Sequence, residues 1–331
     1  MMSVQITIIG LGQVGSSIGL ALAGQKSIKR VGHDKDYEVA RKAQKAGAVD
    51  DIKINLPASV KDANVVILSI PFSEVRETFG FIAQDLQEGT VVIDTAPAKA
   101  TVAMWFNELM PHGRYYVGVV PAVNPSYLHG IDLGIESARA DLFNKGLFMV
   151  DAPRGTPGEA VKLATDLISF MGAQAMLSDS VEADGLLAAT HILPQLASAA
   201  LLDATVDQPG WVEARKIAAR PYASATAAMA YHDEARSLGE AALGNRDNVL
   251  RVIDAYMNSL EKLRDGIENS DAKSVVEFLE DAVRARDRWL NERIKADWLD
   301  MEQSKPATQS FGDRLSQMFT GSAFERAKKK K

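Results

Sequence analysis

The chain has 331 residues, of which 47% are hydrophobic and 24% are charged, and its formal net charge is −6. This length fits two domains of ordinary size, and the composition is typical of a globular protein with a full core. The sequence contains no cysteine, which excludes disulfides, thiolate metal sites and a cysteine nucleophile. Five histidines without metal-binding spacing predict no metal site, and the negative charge argues against general nucleic-acid binding.

The N-terminal segment MMSVQITIIGLG runs directly into a strand pattern, without the basic region or cleavage site of a signal peptide. We find no apolar run of the ~20 residues that a membrane span needs. These two observations predict a cytoplasmic protein without membrane contact.

Short apolar runs alternate with helical segments in the first half of the chain. In chain order, the predicted elements are strand VQITIIG, helix SSIGLALAGQ, strand IKRVGHD, helix YEVARKAQKAG, strand NVVILSIP, helix FGFIAQDLQ, and strands TVVIDTA and YYVGVVP. Two further strands, LFMVDAP and GAQAMLSD, flank the helix GEAVKLATDLISFMG. Buried strands separated by helices predict a parallel α/β sheet with right-handed crossovers, in a domain covering residues 1–178.

The strand pattern then ends, and helical periodicity replaces it. The segment VEADGLLAATHILPQLASAALLDA is predicted to form a long apolar helix, broken or kinked near Pro194. A second helix carries apolar side chains at alternating spacings of four and three, namely Val249, Ile253, Tyr256, Leu260, Leu263 and Ile267. A third follows, with Ser270 or Asp271 as its N-cap. Residues 179–300 are therefore predicted to form an all-helical domain, and residues 301–331 a mobile, lysine-rich tail.

The stretch IIGLGQVGSSIG places three glycines in the spacing G-x-G-x-x-G between a predicted strand and a predicted helix. Gly10 would allow the tight turn, Gly12 would let a pyrophosphate approach the backbone, and Gly15 would let helix and strand pack closely. The helix N-terminus, with Gln13 and Val14, would offer N–H groups and a positive dipole end. The pattern predicts a dinucleotide-binding, Rossmann-type domain; a glycine-rich turn in a flavodoxin-like fold is the alternative.

Asp34 ends the second predicted strand, 24 positions after the first glycine of this motif. A carboxylate at this position accepts hydrogen bonds from the ribose hydroxyls and repels a 2′-phosphate. NAD is therefore the predicted cofactor and NADP the less favoured one, although the nearby Lys35 and Arg30 could soften the preference. Ser69 and Pro71, in the segment LSIP, would contact the cofactor; a plain strand end is the alternative.

The order of these features resembles the prephenate and arogenate dehydrogenase family of tyrosine biosynthesis, from residue 4 to about residue 293. The likeness rests on GLGQVGSSIGLAL, VGHDKD, AGAVD, VVILSIP, VVIDTAPAK, YYVGVVP, ADLF, THILPQLASAAL and GWVEARKIA. It implies a Rossmann domain, a helical dimerisation domain and an active site between them. The implied reaction is an oxidative decarboxylation: NAD takes a hydride from a cyclohexadienyl ring, a base takes the hydroxyl proton, and loss of a carboxylate makes the ring aromatic.

Four polar motifs of the family differ in this chain. The family's His-Pro-Met is here Val120-Pro121-Ala122, without the histidine. Its Gly-Ser-x-Lys is Ala96-Pro97-Ala98-Lys99, which keeps only the lysine. Its Ser-His-Leu-Pro-His is Thr190-His191-Ile192-Leu193-Pro194-Gln195, which needs a one-residue gap and loses one histidine. Its Thr-Arg-Ile-Ala is Arg215-Lys216-Ile217-Ala218. Together these differences indicate a different substrate or a rearranged site.

The predicted catalytic residues are His191 and Lys99. His191 matches the helix histidine that the resemblance retains, and it would handle the proton; an interior packing histidine is the alternative. Lys99 would hold a substrate carboxylate together with Arg215 or Lys216, and an exposed basic cluster is the alternative reading. Asp184, on the same predicted helix as His191, is interpreted as a solvated carboxylate.

The loop YYVGVVPAVNPSY contains no His, Asp, Glu, Lys or Arg, so Asn124 and Ser126 are its candidate donors to a substrate. The sequence therefore predicts an NAD-dependent dehydrogenase similar to prephenate dehydrogenase, with a small carboxylate substrate and a homodimer formed through the helical domain. Two alternatives stay open. One is a dehydrogenase for a 2- or 3-hydroxy acid on a related scaffold, and the other is a non-catalytic NAD-binding dimer.

Overall fold

The computed structural model describes residues 4–130, 134–231 and 235–296. They belong to two units: the chain leaves the first after Asp184, returns to it at Ala230–Gly244, and otherwise forms the second. The predicted lysine-rich tail lies outside the described residues. The predicted domain boundary after residue 178 stays a prediction.

A sheet of eight strands forms the centre of the first unit. The strands are β1 Val4–Ile9, β2 Ile28–His33, β3 Asp51–Ile52, β4 Val65–Leu68, β5 Val91–Asp94, β6 Tyr115–Ala122, β7 Leu147–Asp151 and β8 Gln174–Ser178. Their spatial order is β3-β2-β1-β4-β5-β6-β7-β8. Neighbours are parallel except β6 and β7, which are antiparallel. The predicted α/β fold is thus confirmed, with one antiparallel pair that the sequence analysis did not foresee.

Helices follow most of the strands and continue alone into the second unit. Within the described residues they are α1 Gln13–Ala21, α2 Tyr37–Lys45, α3 Leu56–Val60, α4 Phe72–Ile82, α5 Lys99–Leu109, α6 Gly158–Phe170, α7 Ser180–Leu187, α8 Leu193–Thr205, α9 Trp211–Ile217, α10 Arg220–Thr226, α11 Ala235–Gly244, α12 Arg246–Glu268 and α13 Ala272–Lys295. The predicted all-helical second domain is confirmed.

The central strands are buried on both faces because helices cover each side of the sheet. On β4, Val65 and Ile67 contribute to one apolar cluster, whereas Val66 and Leu68 contribute to the other. Helices α1, α2 and α6 pack on the first cluster, and α3, α4, α5 and α11 pack on the second. This double covering explains the continuous apolar runs from which the strands were predicted.

Among the described residues of the first unit, four helices and one strand differ from the prediction: β3, α3 and α11 were not predicted, and α4 and α5 differ as follows. Helix α4 begins at Phe72, directly after Pro71, whereas the sequence analysis began it at Phe79. Its buried positions recur at spacings of three and four from Phe72 onward, so the helical pattern starts seven residues earlier than was assigned. Helix α5 was not predicted, although Val102 and Phe106 place one of its faces in the core.

The long helices of the second unit follow the predicted pattern. Helix α12 contains the predicted apolar stripe, and Asp271 caps α13 by accepting a hydrogen bond from the Ser274 N–H at 3.1 Å. Several large apolar side chains on both helices are exposed: Tyr256, Met257, Leu260, Ile267, Val276, Leu279, Val283, Trp289 and Ile294.

The helical stretch Ser180–Thr205 is long and apolar enough to cross a membrane, with a mean hydropathy of 1.4 over its best window. The expectation that no run reaches this length was wrong, because residues 185–202 contain no Asp, Glu, Lys or Arg. Helices that pack inside soluble proteins share this length and composition. Residues Ala188–Ile192 within the stretch form a π-helical turn, at the place where a break was predicted.

We expect Phe148→Ala to lower the free energy of unfolding by about 3–5 kcal/mol, because the truncation leaves a cavity in the core. Phe148 is 1% exposed, and its ring lies 5.1 Å from the ring of Phe143. Urea denaturation measures the change. Met104→Ala, at a position that is 58% exposed, is the control and should change stability by no more than about 0.5 kcal/mol. Equal losses in the two variants would contradict this packing.

Candidate nucleotide site

A cavity of about 700 Å³ opens in the first unit at the carboxyl ends of β1, β2 and β4. Its walls include Gly10, Gly12, His33, Asp34, Ser69, Ile70 and Pro71. The chain winds outward in opposite directions from the β1–β4 pair, and open α/β sheets bind ligands at such a reversal. The structure thus brings together most of the residues that were predicted to bind the cofactor.

The three glycines of the motif have different surroundings. Gly10 has a φ of +86°, and a Cβ there would lie 2.2 Å from the Ser69 carbonyl oxygen. A Cβ on Gly15 would lie 2.0 Å from the Gly10 carbonyl oxygen. A Cβ on Gly12, by contrast, would meet no atom within 4 Å, although this residue lines the cavity. The close packing of this turn therefore requires the first and third glycines, whereas the second leaves space that fits a pyrophosphate.

Helix α1 begins beside this space. Gly12 is its N-cap, and the first turn has neither a side-chain cap nor an acidic residue. The Gln13 side chain donates from Nε2 to the Ser137 carbonyl oxygen at 3.5 Å, and Val14 packs against the core. The helix dipole and the N–H groups of the first turn are therefore directed toward a place that suits an anion.

Asp34 is held rigidly at the edge of the cavity. Its Oδ2 accepts the Leu11 N–H at 2.7 Å, and its Oδ1 accepts the Asp36 N–H at 2.9 Å. These bonds join the loop after β1 to the end of β2. A carboxylate retains further lone pairs when it accepts two hydrogen bonds, so Asp34 can still accept from ribose hydroxyls. The residues present therefore fit a dinucleotide with a free 2′-hydroxyl.

Arg30, which was expected to influence the choice between NAD and NADP, instead has a structural role. Its guanidinium lies 2.5 Å from Asp50 Oδ1 and donates to the carbonyl oxygens of Gly19 and Gly47 at 2.9 and 2.8 Å. Only 9% of the side chain is exposed. The expectation that Arg30 could soften the preference for NAD is wrong, because these contacts commit the guanidinium to the protein interior.

Lys99 is buried within the first unit. Its ammonium lies 2.9 Å from Asp94 Oδ2, and the Tyr116 hydroxyl donates to the same oxygen at 2.5 Å. The alternative of an exposed basic cluster is wrong for Lys99, which is 0% exposed. A substrate carboxylate could reach its ammonium only after the ion pair with Asp94 opens. Burial, followed by the charge of Asp94, raises the pKa of Tyr116 well above its usual range.

Two more carboxylates lie buried near this pair. Asp184 accepts the N–H groups of Lys99 and Ala100 at 2.5 and 3.1 Å, at the start of α5. Asp151 accepts the Ser180 hydroxyl at 2.7 Å. Burial raises the pKa of both carboxyls. The interpretation of Asp184 as a solvated carboxylate was wrong, because the tertiary structure places it, only 4% exposed, against backbone donors.

His191 lies in the second unit, on the π-helical turn. Its side chain is exposed in the described chain, so it is not an interior packing histidine. Its Nδ1 lies 3.1 Å from the Thr190 hydroxyl, and its carbonyl oxygen accepts the Gln195 side-chain amide at 2.6 Å. The ring is therefore accessible from outside the described chain.

Arg215 and Lys216 occupy the last turn of α9 and are exposed. They belong to the second unit, whereas Lys99 belongs to the first. Asn124 and Ser126 lie in the loop after β6, where the Asn124 side chain accepts the Ser126 N–H at 3.0 Å. Asn124 thus helps to fix this loop, and its substrate-binding role stays a prediction, as do those of Ser126, Arg215 and Lys216.

Sequence reasoning missed a large part of the cavity wall. Ser73, Glu74, Glu77, Thr78 and Phe81 all come from α4. A correct start for this helix would have suggested them, since they directly follow the predicted contacts of the LSIP segment. Wall residues from distant parts of the chain, Glu136 and Arg236 among them, carry no local signal that could have identified them.

Family models match both parts of this chain. Residues 18–177 match the model described as "Prephenate dehydrogenase, nucleotide-binding domain", and residues 179–281 match the one described as "Prephenate dehydrogenase, dimerization domain". A prephenate dehydrogenase of Bacillus subtilis is 23% identical over 85% of this chain and 75% of its own length. A cyclohexadienyl dehydrogenase of Zymomonas mobilis is 24% identical over 85% of this chain and 94% of its own length.

Solved structures show the same fold. Prephenate dehydrogenase of A. aeolicus, in complex with hydroxyphenyl propionate and NAD+, has a TM-score of 0.74 at 21% identity, covering 87% of this chain and 99% of its own. Synechocystis arogenate dehydrogenase has a TM-score of 0.66 at 20% identity, covering 86% of this chain and 99% of its own.

We expect Gly12→Val to weaken NADH binding by more than about tenfold, because its side chain would fill the space beside the start of α1. The free energy of unfolding should fall by no more than about 1 kcal/mol, since the added Cβ meets no protein atom within 4 Å. Gly15→Ala is the matched contrast and should cost about 1–3 kcal/mol of stability through its contact with the Gly10 carbonyl. Fluorescence titration with NADH and urea denaturation separate the two effects. Unimpaired NADH binding by Gly12→Val would contradict this placement of the pyrophosphate.

The buried Asp151 should make stability depend on pH. Its pKa is raised by burial above the ordinary value of 3.8, so the stability that it contributes is present below 3.8 and is lost as the pH rises through the folded-state pKa. Asp151→Asn abolishes this loss. Its free energy of unfolding, relative to the unsubstituted protein, should therefore increase between about pH 4 and about pH 8 in urea titrations.

Asp50→Asn is the opposite-sign control. Burial raises the pKa of Asp50, but hydrogen bonds from Arg30 and its charge outweigh that effect and lower the pKa below 3.8. Asp50 therefore contributes stability that is present above 3.8 and is lost as the pH falls. The relative stability of Asp50→Asn should decrease with rising pH. Slopes of the same sign in the two variants would refute the assignment.

Proposed function

This chain is an NAD-dependent oxidoreductase of the prephenate dehydrogenase family, and we propose from this premise that it oxidatively decarboxylates prephenate or arogenate in tyrosine biosynthesis. The observation that carries the proposal is the cavity at the β1–β4 reversal, in which the backbone at Gly12 and the carboxylate of Asp34 suit a dinucleotide. It lies in a chain whose two parts both match this one family.

The first unit would hold the cofactor by its pyrophosphate and its ribose. The start of α1 faces the phosphates, and Asp34 accepts hydrogen bonds from the ribose hydroxyls. Ser69 and Pro71, which line the cavity, would contact the ribose and nicotinamide. The bound NAD supplies the acceptor for the substrate hydride.

The second unit would supply the groups that act on the substrate. Aromatisation of the ring makes the reaction favourable, so the protein mainly has to orient the substrate, hold its carboxylates and accept one proton. We assign the proton to His191, whose exposed ring can reach an external group. Arg215 or Lys216 would hold a carboxylate, a Lys doing so without the two-pronged geometry of Arg. Lys99 would not touch the substrate directly, since its ammonium forms an ion pair with Asp94; it would instead position the end of β5.

A second candidate function is a non-catalytic, NAD-binding dimer. Two observations favour it: Val120 and Pro97 stand where the resemblance implies a histidine and a serine, and neither side chain can donate or accept a hydrogen bond. Val120 is also buried, at 8% exposed. The ion pair with Asp94 also favours this candidate, because it keeps the Lys99 ammonium from a substrate carboxylate.

We further propose a cytoplasmic homodimer formed through the helical unit. The match of residues 179–281 to a dimerisation domain supports this assembly. The exposed apolar side chains of α12 and α13 support it too, because a partner would remove them from water.

The decisive experiment measures NADH formation with NAD and, separately, prephenate and arogenate, with NADP as the cofactor control. We expect turnover of one of these substrates with NAD. His191→Asn should lower kcat by about 10²–10⁴-fold and leave NADH affinity unchanged. His129→Asn, which changes an exposed loop histidine, is the matched control and should keep the full rate.

An undiminished rate in His191→Asn would remove this residue as the base. Lack of turnover in a sample that binds NADH would favour the non-catalytic dimer.

A further inference from the structure

In the described chain, the three Lys and Arg side chains that line the cavity each lie beside a carboxylate. Lys35 forms an ion pair with Glu74, and Lys42 lies 2.5 Å from Glu136. Arg236 also lines the cavity, and its Nε lies 2.6 Å from Glu240. Each of these cations therefore meets a carboxylate of the protein.

The pair of Lys35 and Glu74 stands out by its position. Lys35 directly follows Asp34, the residue placed to accept the ribose hydroxyls. Glu74 lies in the first turn of α4, and its N–H bonds to the Pro71 carbonyl at 2.9 Å. The positive end of the helix dipole stabilises a carboxylate there. Glu74 is thus anchored on the opposite wall, with 29% of its side chain exposed, and it holds the more exposed lysine by its ammonium.

This geometry bears on a cofactor that carries a 2′-phosphate. Such a phosphate would lie against Asp34, which repels it, and it would need a nearby cation to offset the repulsion. Lys35 is the cation adjacent to Asp34 in the chain, but Glu74 on the opposite wall holds its ammonium and would compete with a phosphate for it.

We propose that Glu74 is a specificity-determining residue: it engages Lys35 and thereby competes with a 2′-phosphate for this lysine. Discrimination against NADP then has two parts, which are repulsion by Asp34 and the engagement of Lys35. The proposal depends on the nucleotide cavity and does not depend on the substrate.

The test is fluorescence titration of the full chain with NADH and with NADPH, for Glu74→Gln and the unsubstituted protein. Loss of the pair should shift the ratio of the two dissociation constants toward NADPH by about fivefold, the size expected for one exposed charge contact. Glu77→Gln is the matched control, because it removes the same charge from the same helix and the same wall. It should shift the ratio much less, by general electrostatics alone.

Lys35→Gln supplies the decisive comparison. Alone it should leave the ratio almost unchanged, and in combination with Glu74→Gln it should cancel the gain in NADPH binding. The proposal is overturned if Glu77→Gln matches the shift of Glu74→Gln, if the shift survives the loss of Lys35, or if Glu74→Gln weakens NADH and NADPH alike. These readouts need no turnover, so an inactive protein would not obscure them.

Discussion

The shape of the nucleotide site depends on direct contact between backbone segments, with no side chain between them. The Gly10 Cα sits against the Ser69 carbonyl, and the Gly15 Cα sits against the Gly10 carbonyl. Two strands and a helix therefore meet more closely than any side chain would allow. Because of this approach, the end of β1, the end of β4 and the start of α1 surround one space, and Asp34 closes it from β2. The cavity thus follows from the packing of the sheet.

A second constraint lies further along the sheet, where strands β5 and β7 carry buried carboxylates on either side of β6. In strand register, Asp94 of β5 is opposite Gly118 of β6, and Gly118 is opposite Asp151 of β7. A Cβ on Gly118 would lie 2.8 Å from the Lys99 side chain, so the glycine makes room for the lysine that neutralises Asp94. Removing one partner of a buried ion pair leaves an uncompensated charge, which is strongly unfavourable. This arrangement couples the end of β5 to the start of α5.

Local patterns predicted the fold and the cofactor half of the site. The strands, the glycine motif and Asp34 were identified because their signals lie within a few residues of one another. The partners of Arg30 and Asp184 were not foreseen because they lie 20 and 85 residues away in the chain. Asp94 lies only five residues before Lys99, but no local pattern indicates that both side chains are buried. The sequence analysis related Arg30 and Lys99 to bound ligands and Asp184 to solvent, whereas the tertiary structure gives all three partners within the protein. The same limit applies to Glu136 and Arg236 on the cavity wall.

The π-helical turn Ala188–Ile192 lets this helix accommodate an extra residue. The Leu193 N–H bonds to the Ala188 carbonyl, five residues earlier, and Pro194 has no N–H to donate to the Thr190 carbonyl. A π turn takes up one residue more than the α-helical turn that it replaces, and THILPQ is likewise one residue longer than the pattern it resembles. A π turn can absorb an inserted residue within itself, so the helix beyond such a turn keeps its rotational phase. An insertion that would otherwise rotate every later side chain by about 100° is confined to the neighbourhood of His191.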